Sequence, residues 1–383
     1  MAVRFLWLLI VLLVPLALAA EPDAKRRNSI SAVLNAQFQH WDKNRDGVLS
    51  RDEVDAAIAN HKVTGDEAAA AAALHAYFRS DSKAAPLTRN FVIEGAAKNL
   101  PEERRDLGNR SQHFEADFEH FRDHIQKAPR ELFVGDAPHL LGISQGALGD
   151  CYFVSVVGAA IRTNRHRFKQ MFHPQPDGSC ELIFLDGERV MVHKLTDSKI
   201  ALGSSAGKQG LWLNVLEQGF GQVRFAKEPN KAPGDIPLDL ISRGGDPQTT
   251  IALLTGHKSE FFVVRKNAKD PAATKKLRDT MIAGTKGRRL MSCGTPNEKV
   301  ELPPGVPGGH DYAVLEFDAA KDMVRIWNPW GNNFQPEKEP AGLKHGYPTK
   351  DGHFDVSLAD FVRIFGYYEC ETHEKAIPSP KKR

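Results

Sequence analysis

Long apolar runs are scarce in this 383-residue sequence. After the first twenty residues no segment approaches the about 20 apolar residues that a bilayer-crossing helix needs, which excludes a protein built on several membrane spans. Excess charge is lacking too. The net charge is only +3, which gives no electrostatic ground for a nucleic-acid partner, and the tail Lys381-Lys382-Arg383 reads as a solvated terminus. Cysteine is sparse, with Cys151, Cys180, Cys293 and Cys370 alone and no C-x-x-C pair, which argues against a cysteine zinc site and a disulfide scaffold. If one of the four is a catalytic thiol, at most one bridge can form within the chain. No solenoid repeat is visible. What is present suits a soluble protein of two or three domains, since 41% hydrophobic residues suffice for a buried core.

The N-terminus stands apart. Arg4 precedes the apolar run 5–14, and Ala17-Leu18-Ala19 places small residues at the −3 and −1 positions of a cut. That layout predicts a signal peptide over 1–19 and an exported protein, secreted or periplasmic. An uncleaved membrane anchor is the alternative.

Asp42-Lys43-Asn44-Arg45-Asp46-Gly47-Val48-Leu49-Ser50-Arg51-Asp52-Glu53 fits the twelve-residue EF-hand loop. Calcium is a hard cation that takes six to eight oxygens. Asp42, Asn44 and Asp46 offer side-chain oxygens, Val48 its carbonyl, Ser50 can hold a water, and Glu53 offers two oxygens at once. Gly47 stands where the loop must turn sharply. Ile30, Val33, Leu34, Phe38 and Trp41 predict a helix before the loop, and Val54, Ala57 and Ile58 one after it. Aligning Leu87 with Leu49 suggests a second loop over 80–91 that has lost its carboxylates. Residues 25–100 are therefore expected to form an EF-hand pair with one calcium site. A charged linker is expected over 101–116, a catalytic domain over 117–373 and a basic tail over 374–383.

Gln145-Gly146-Ala147-Leu148-Gly149-Asp150-Cys151 is a glycine-rich turn before the apolar run 154–161. Cys151 would open a buried helix, where the dipole and unpaired N–H groups favour thiolate. A thiol nucleophile needs a base, and the base an orienting group. His310 follows Gly308-Gly309 at the start of one strand, and Asn328 ends the next, in Asn328-Pro329-Trp330-Gly331. The spacing from Cys151 to His310 is close to the about 130–150 residues of papain-type sites.

These motifs resemble the calpain family of papain-fold cysteine proteases. Leu211-Trp212-Leu213-Asn214, Gly244-Gly245-Asp246-Pro247 and Asp351-Gly352-His353-Phe354 resemble further stretches of that family in the same order. The resemblance implies an α+β fold, a two-subdomain papain-like core preceded here by the helical EF-hand pair. It implies Cys151 as nucleophile, His310 as base and Asn328 as its orienting partner. Gln145 and the Cys151 N–H would form the oxyanion hole, and Trp330 would shield the His–Asn bond. Protein or peptide substrates would be cleaved through an acyl-enzyme. Alternatives are a catalytically silent, calcium-binding interaction protein and an acyl transfer to an amine. Three core calcium positions of animal calpains are replaced here, by Gly142, Phe334 and His353, so calcium is expected to stabilise the chain and not to assemble its active site. Asp311 stands where the family often has a small residue, and strand alternation turns it to the face opposite His310.

Overall fold

A computed structural model describes residues 29–80, 84, 86–97, 113–231, 235–297 and 300–376. The expected signal peptide, most of the expected linker and the end of the tail lie outside these residues.

The described chain opens with helices α1 (Ile30–Trp41), α2 (Arg51–Ala59), α3 (Gly65–Ser80), α4 (Arg89–Ala97) and α5 (Phe114–Lys127). Ser29 starts α1 by accepting the Ala32 N–H, and the apolar residues at helical spacing are its buried face. Ser50 and Glu53 form a capping box at α2. Between these helices β1 (Val48–Leu49) pairs antiparallel with β2 (Leu87–Thr88), Leu49 opposite Leu87. Helix α3 carries the fully buried stripe Ala68–Ala73. Side chains this small let it approach α7 (Asp197–Leu202), whose Ser198 hydroxyl donates to the Ala68 carbonyl at 3.1 Å. Helix α5 starts inside the stretch expected as a linker. It begins at Phe114, and Phe118, Phe121 and Ile125 repeat on its buried face, an amphipathic pattern that the surrounding charge disguises.

Helix α6 (Cys151–Lys169) follows, bent at Asn164, with α8 (Trp212–Lys227), α9 (Pro237–Ser242) and α10 (Pro247–Thr255) around it. A small antiparallel sheet, β3 (Phe172–Pro174), β4 (Cys180–Ile183) and β5 (Arg189–Val192), covers one flank. The main sheet is antiparallel throughout. Its strands are β6 (His257–Val263), β7 (Met291–Gly294), β8 (Asp311–Asp318), β9 (Met323–Trp327), β10 (His353–Ser357) and β11 (Tyr367–Lys375). They lie in the order β10-β9-β8-β7-β11-β6, with α11 (Pro271–Lys286) and α12 (Leu358–Ile364) beside them. Glu374 and Lys375, expected in the tail, complete β11. This is a mixed α+β architecture.

One continuous apolar core runs from Ile30 in α1 through α6 and α8 to Trp327 in β9, so the N-terminal helices and α6 share an interior. A second core, with Tyr312, Phe361 and Tyr368, includes the remaining sheet residues and α12. Helix α6 meets the sheet at Gly158, where an added Cβ would run into the Trp327 ring. Only hydrogen fits there, and this contact sets how closely Cys151 approaches β8 and β9.

Candidate active site

Cys151 is the first residue of α6. The turn before it is close-packed against its surroundings. A Cβ at Gly149 would strike the Ser242 carbonyl at 2.6 Å, so the loop lies directly on α9. From the other side Arg79 of α3 donates to the Ala147 carbonyl at 3.1 Å. The Gln145 N–H donates to the Pro329 carbonyl at 2.8 Å, joining the cysteine loop to the turn that carries Asn328.

His310 directly precedes β8 and Asn328 directly follows β9, and these neighbouring antiparallel strands bring the two together. Thr295 fixes the histidine backbone: its hydroxyl accepts the His310 N–H at 3.0 Å, and its N–H donates to the His310 carbonyl at 2.9 Å. The Asn328 amide has one consistent orientation. Its Oδ1 accepts the Trp330 N–H at 3.0 Å, and its Nδ2 donates to Asn332 Oδ1 at 3.0 Å. Asn328 Oδ1 lies 2.8 Å from His310 Nε2, so Nε2 carries the hydrogen and donates it. In the neutral ring that leaves the lone pair on Nδ1. Burial lowers the His310 pKa to about 4, with the Asn328 bond acting weakly the other way, so the ring is neutral near pH 7. The Trp330 ring packs on it at 4.4 Å between centroids.

The sulfur departs from expectation. Burial, with the charges of the Asp311 carboxylate and Asp150, raises the Cys151 thiol to about 12, although the Asp311 N–H and, less strongly, the Tyr152 N–H at the helix start favour the anion. The helix end alone does not set this pKa. Cys151 Sγ donates to Asp311 Oδ2 at 3.9 Å, and among the described residues no hydrogen bond joins it to the His310 ring. Asp311 thus faces the thiol. Its other oxygen accepts a hydrogen bond from the Tyr367 hydroxyl. Sequence reasoning missed this role, because Tyr367 lies two strands away and the strand order is not written locally.

Gln145 Nε2 donates to the Leu148 carbonyl at 2.7 Å, bracing its own turn, while Oε1 is buried with no partner among the described residues. Asp150 is fully buried, and burial and the neighbouring Glu217 hold its pKa well above the usual carboxylate range. All four cysteines are free.

The twelve-residue loop at Asp42 has its oxygens turned inward onto its own amides. Asp42 accepts from Asp46 and Gly47, Asn44 from Asp46, Asp46 from Val48, and Glu53 from Lys43, Asn44 and Ser50. Among the described residues no three His, Cys, Asp or Glu side chains converge as a metal-binding group. The donor set is nonetheless all oxygen, as a hard cation requires. Gly142, Phe334 and His353 offer no carboxylate: Phe334 packs against Gly305, and His353 Nδ1 lies 3.0 Å from the Asp351 carbonyl.

Comparison with known proteins adds the lineage. The chain is 26% identical over 263 residues to the calpain-type cysteine protease ADL1 of Oryza sativa subsp. japonica, covering 60% of this chain and 11% of that protein. It is 27% identical over 277 residues to the calpain-type cysteine protease DEK1 of Arabidopsis thaliana, covering 64% and 12%. It is 23% identical over 297 residues to the calpain-1 catalytic subunit of Homo sapiens, covering 66% and 38%. The chain therefore spans well under half the length of these relatives. The family model described as calpain family cysteine protease matches residues 97–370, from the end of α4 into β11, and takes in Cys151, His310 and Asn328 in order. By that match across most of its length, the chain belongs to the calpain family of cysteine proteases.

Proposed function

We propose that this chain is a cysteine endopeptidase that cleaves protein substrates through Cys151, His310 and Asn328. The observation that carries the reading is the oriented imidazole: Nε2 is committed to Asn328 Oδ1 at 2.8 Å, so the basic nitrogen is Nδ1. Nδ1 takes the thiol proton as Cys151 Sγ attacks the scissile carbonyl. The resulting oxyanion accepts from the Cys151 N–H, which as the first of its helix has no intrahelical partner. The second Nε2 hydrogen of Gln145 is the other donor, and such donors each contribute about 3 kcal/mol to transition-state stabilisation. His310 then protonates the departing amine, and water releases the acyl group by the same route in reverse.

In this reading Asp42, Asn44, Asp46, the Val48 carbonyl and Glu53 bind one calcium ion. Helices on both sides of the loop and the Leu49–Leu87 pairing to a second loop support an EF-hand pair over 25–100. Calcium there neutralises the loop carboxylates and stiffens the helices beside the Cys151 loop. The leader pattern supports export. A second reading, a silent interaction protein, draws on the Cys151–Asp311 contact, which leaves the thiol poorly ionised.

Casein hydrolysis by the protein lacking residues 1–19 separates the two. The parent should cleave casein and take up a thiol-directed epoxide at Cys151, and Cys151→Ala should do neither. Equal cleavage by both proteins, or none by either, overturns the peptidase reading.

A further inference from the structure

We propose that Asp311 is a second proton partner of Cys151, opposed to His310: as a carboxylate it keeps the sulfur a thiol, and as the neutral acid it releases it for attack. This rests on Cys151 being the nucleophile. The geometry is built across three strands. Gly294 of β7 pairs with Asp311 of β8 on one side and with Tyr367 of β11 on the other. A Cβ at Gly294 would collide with both the Asp311 carboxylate and the Tyr367 ring. The glycine therefore leaves a lane across which the Tyr367 hydroxyl holds Asp311 Oδ1. That grip aims Oδ2 at the sulfur, 3.9 Å away.

Among the described residues the surroundings supply no counter-charge. Glu369 on β11 and Asp246 at the start of α10 act on Asp311 or on one another as like charges, and the Asp311 charge also acts on Cys293 and Tyr312. Among the described residues none of Asp246, Asp311 and Glu369 has an ion-pair partner, so a proton is what relieves the repulsion. Burial, assisted by Asp246, raises Asp311 to about 6, inside the range where a modest pH change empties or fills it.

The protons balance in both states. With Asp311 ionised, the thiol donates its own hydrogen to Oδ2, and a second negative charge beside the carboxylate is disfavoured. With Asp311 protonated, the thiol hydrogen passes to His310 Nδ1, and the Asp311 O–H donates to the sulfur anion left behind. Asp311→Asn imitates the second state, because its amide donates and carries no charge.

The test is iodoacetamide labelling of Cys151, followed by peptide mapping between pH 5 and pH 9. Asp311→Asn should label at least about tenfold faster than the parent at pH 7.5, a change of one pKa unit or more at the sulfur. The two should converge near pH 5, where Asp311 is protonated. Tyr367→Phe removes only the hydroxyl that stabilises the carboxylate, so the parent's transition near pH 6 should move upward. Superimposed profiles for parent and Asp311→Asn, or an unmoved transition in Tyr367→Phe should Asp311→Asn not fold, overturn the proposal. Labelling is scored without any substrate, so loss of the peptidase reading would appear separately, as intact casein beside shifted labelling.

Discussion

His75, in helix α3, and His310, just before β8, are both buried imidazoles held by hydrogen bonds of 2.9 Å or less. Their partners differ in charge. His75 lies between Asp55 Oδ1 at 2.7 Å and Asp239 Oδ1 at 2.9 Å, and His310 has the neutral amide of Asn328. Burial opposes the charged ring in both. At His75 the two carboxylates outweigh it and the pKa rises, whereas at His310 the amide does not and the pKa falls to about 4. Similar burial thus accompanies a raised pKa in one place and a lowered one in the other, according to the charge of the partners. The first ties α2 and α3 to α9, and the second is free to take a proton.

The comparison is broken most severely by removing each ring in turn. His310→Ala should lower casein-cleaving kcat/KM by about 10³-fold with little change in Tm, as expected for loss of a general base. His75→Ala should do the reverse. It leaves buried Asp239 with the Ile236 N–H at 3.0 Å and one cation, Arg51 at 2.7 Å, and should lower stability by about 3 kcal/mol in urea unfolding.

Charge exchange sharpens it further. Asn328→Asp gives His310 a partner like those of His75, so the acid limb of kcat/KM should move up from near pH 4 by about one unit or more. The stability consequences have opposite signs. His75, raised when folded, contributes fully below its ordinary value of 6.5, and that contribution is lost as pH climbs through its folded value. His310, depressed when folded, is protonated first in the unfolded chain, so stability falls as pH drops from 6.5 towards about 4. Unfolding curves of His75→Gln and the parent should therefore differ most at mildly acidic pH. The smallest effect concerns the loop. Millimolar calcium should raise the parent Tm by a few degrees, and Glu53→Gln should abolish that rise.

How much of this was legible follows from distance along the chain. Local patterns gave the start of α6 at Cys151 and the strand ends at His310 and Asn328. The base nitrogen of His310 was not legible, because it depends on Asn332 and the Trp330 N–H fixing the Asn328 amide. Alternation predicts Asp311 on the face opposite His310, and only the strand order and the packing of α6 show that its two oxygens meet Tyr367 and Cys151. The use of the alanine run 68–73 in packing against α7 depends on a partner about 130 residues away.

The bond from Arg79 to the Ala147 carbonyl has a practical consequence for where this protein can be cut. A fragment beginning at the expected domain start, residue 117, would lose Arg79, His75 and Arg51 together. Asp239 would be left without a cation, and the cysteine turn would lose the clamp on its outer side. Apolar faces of α7 now covered by the alanine stripe would be opened to water. A fragment without the N-terminal helices should therefore unfold at lower urea than the full chain, because it loses part of the shared core.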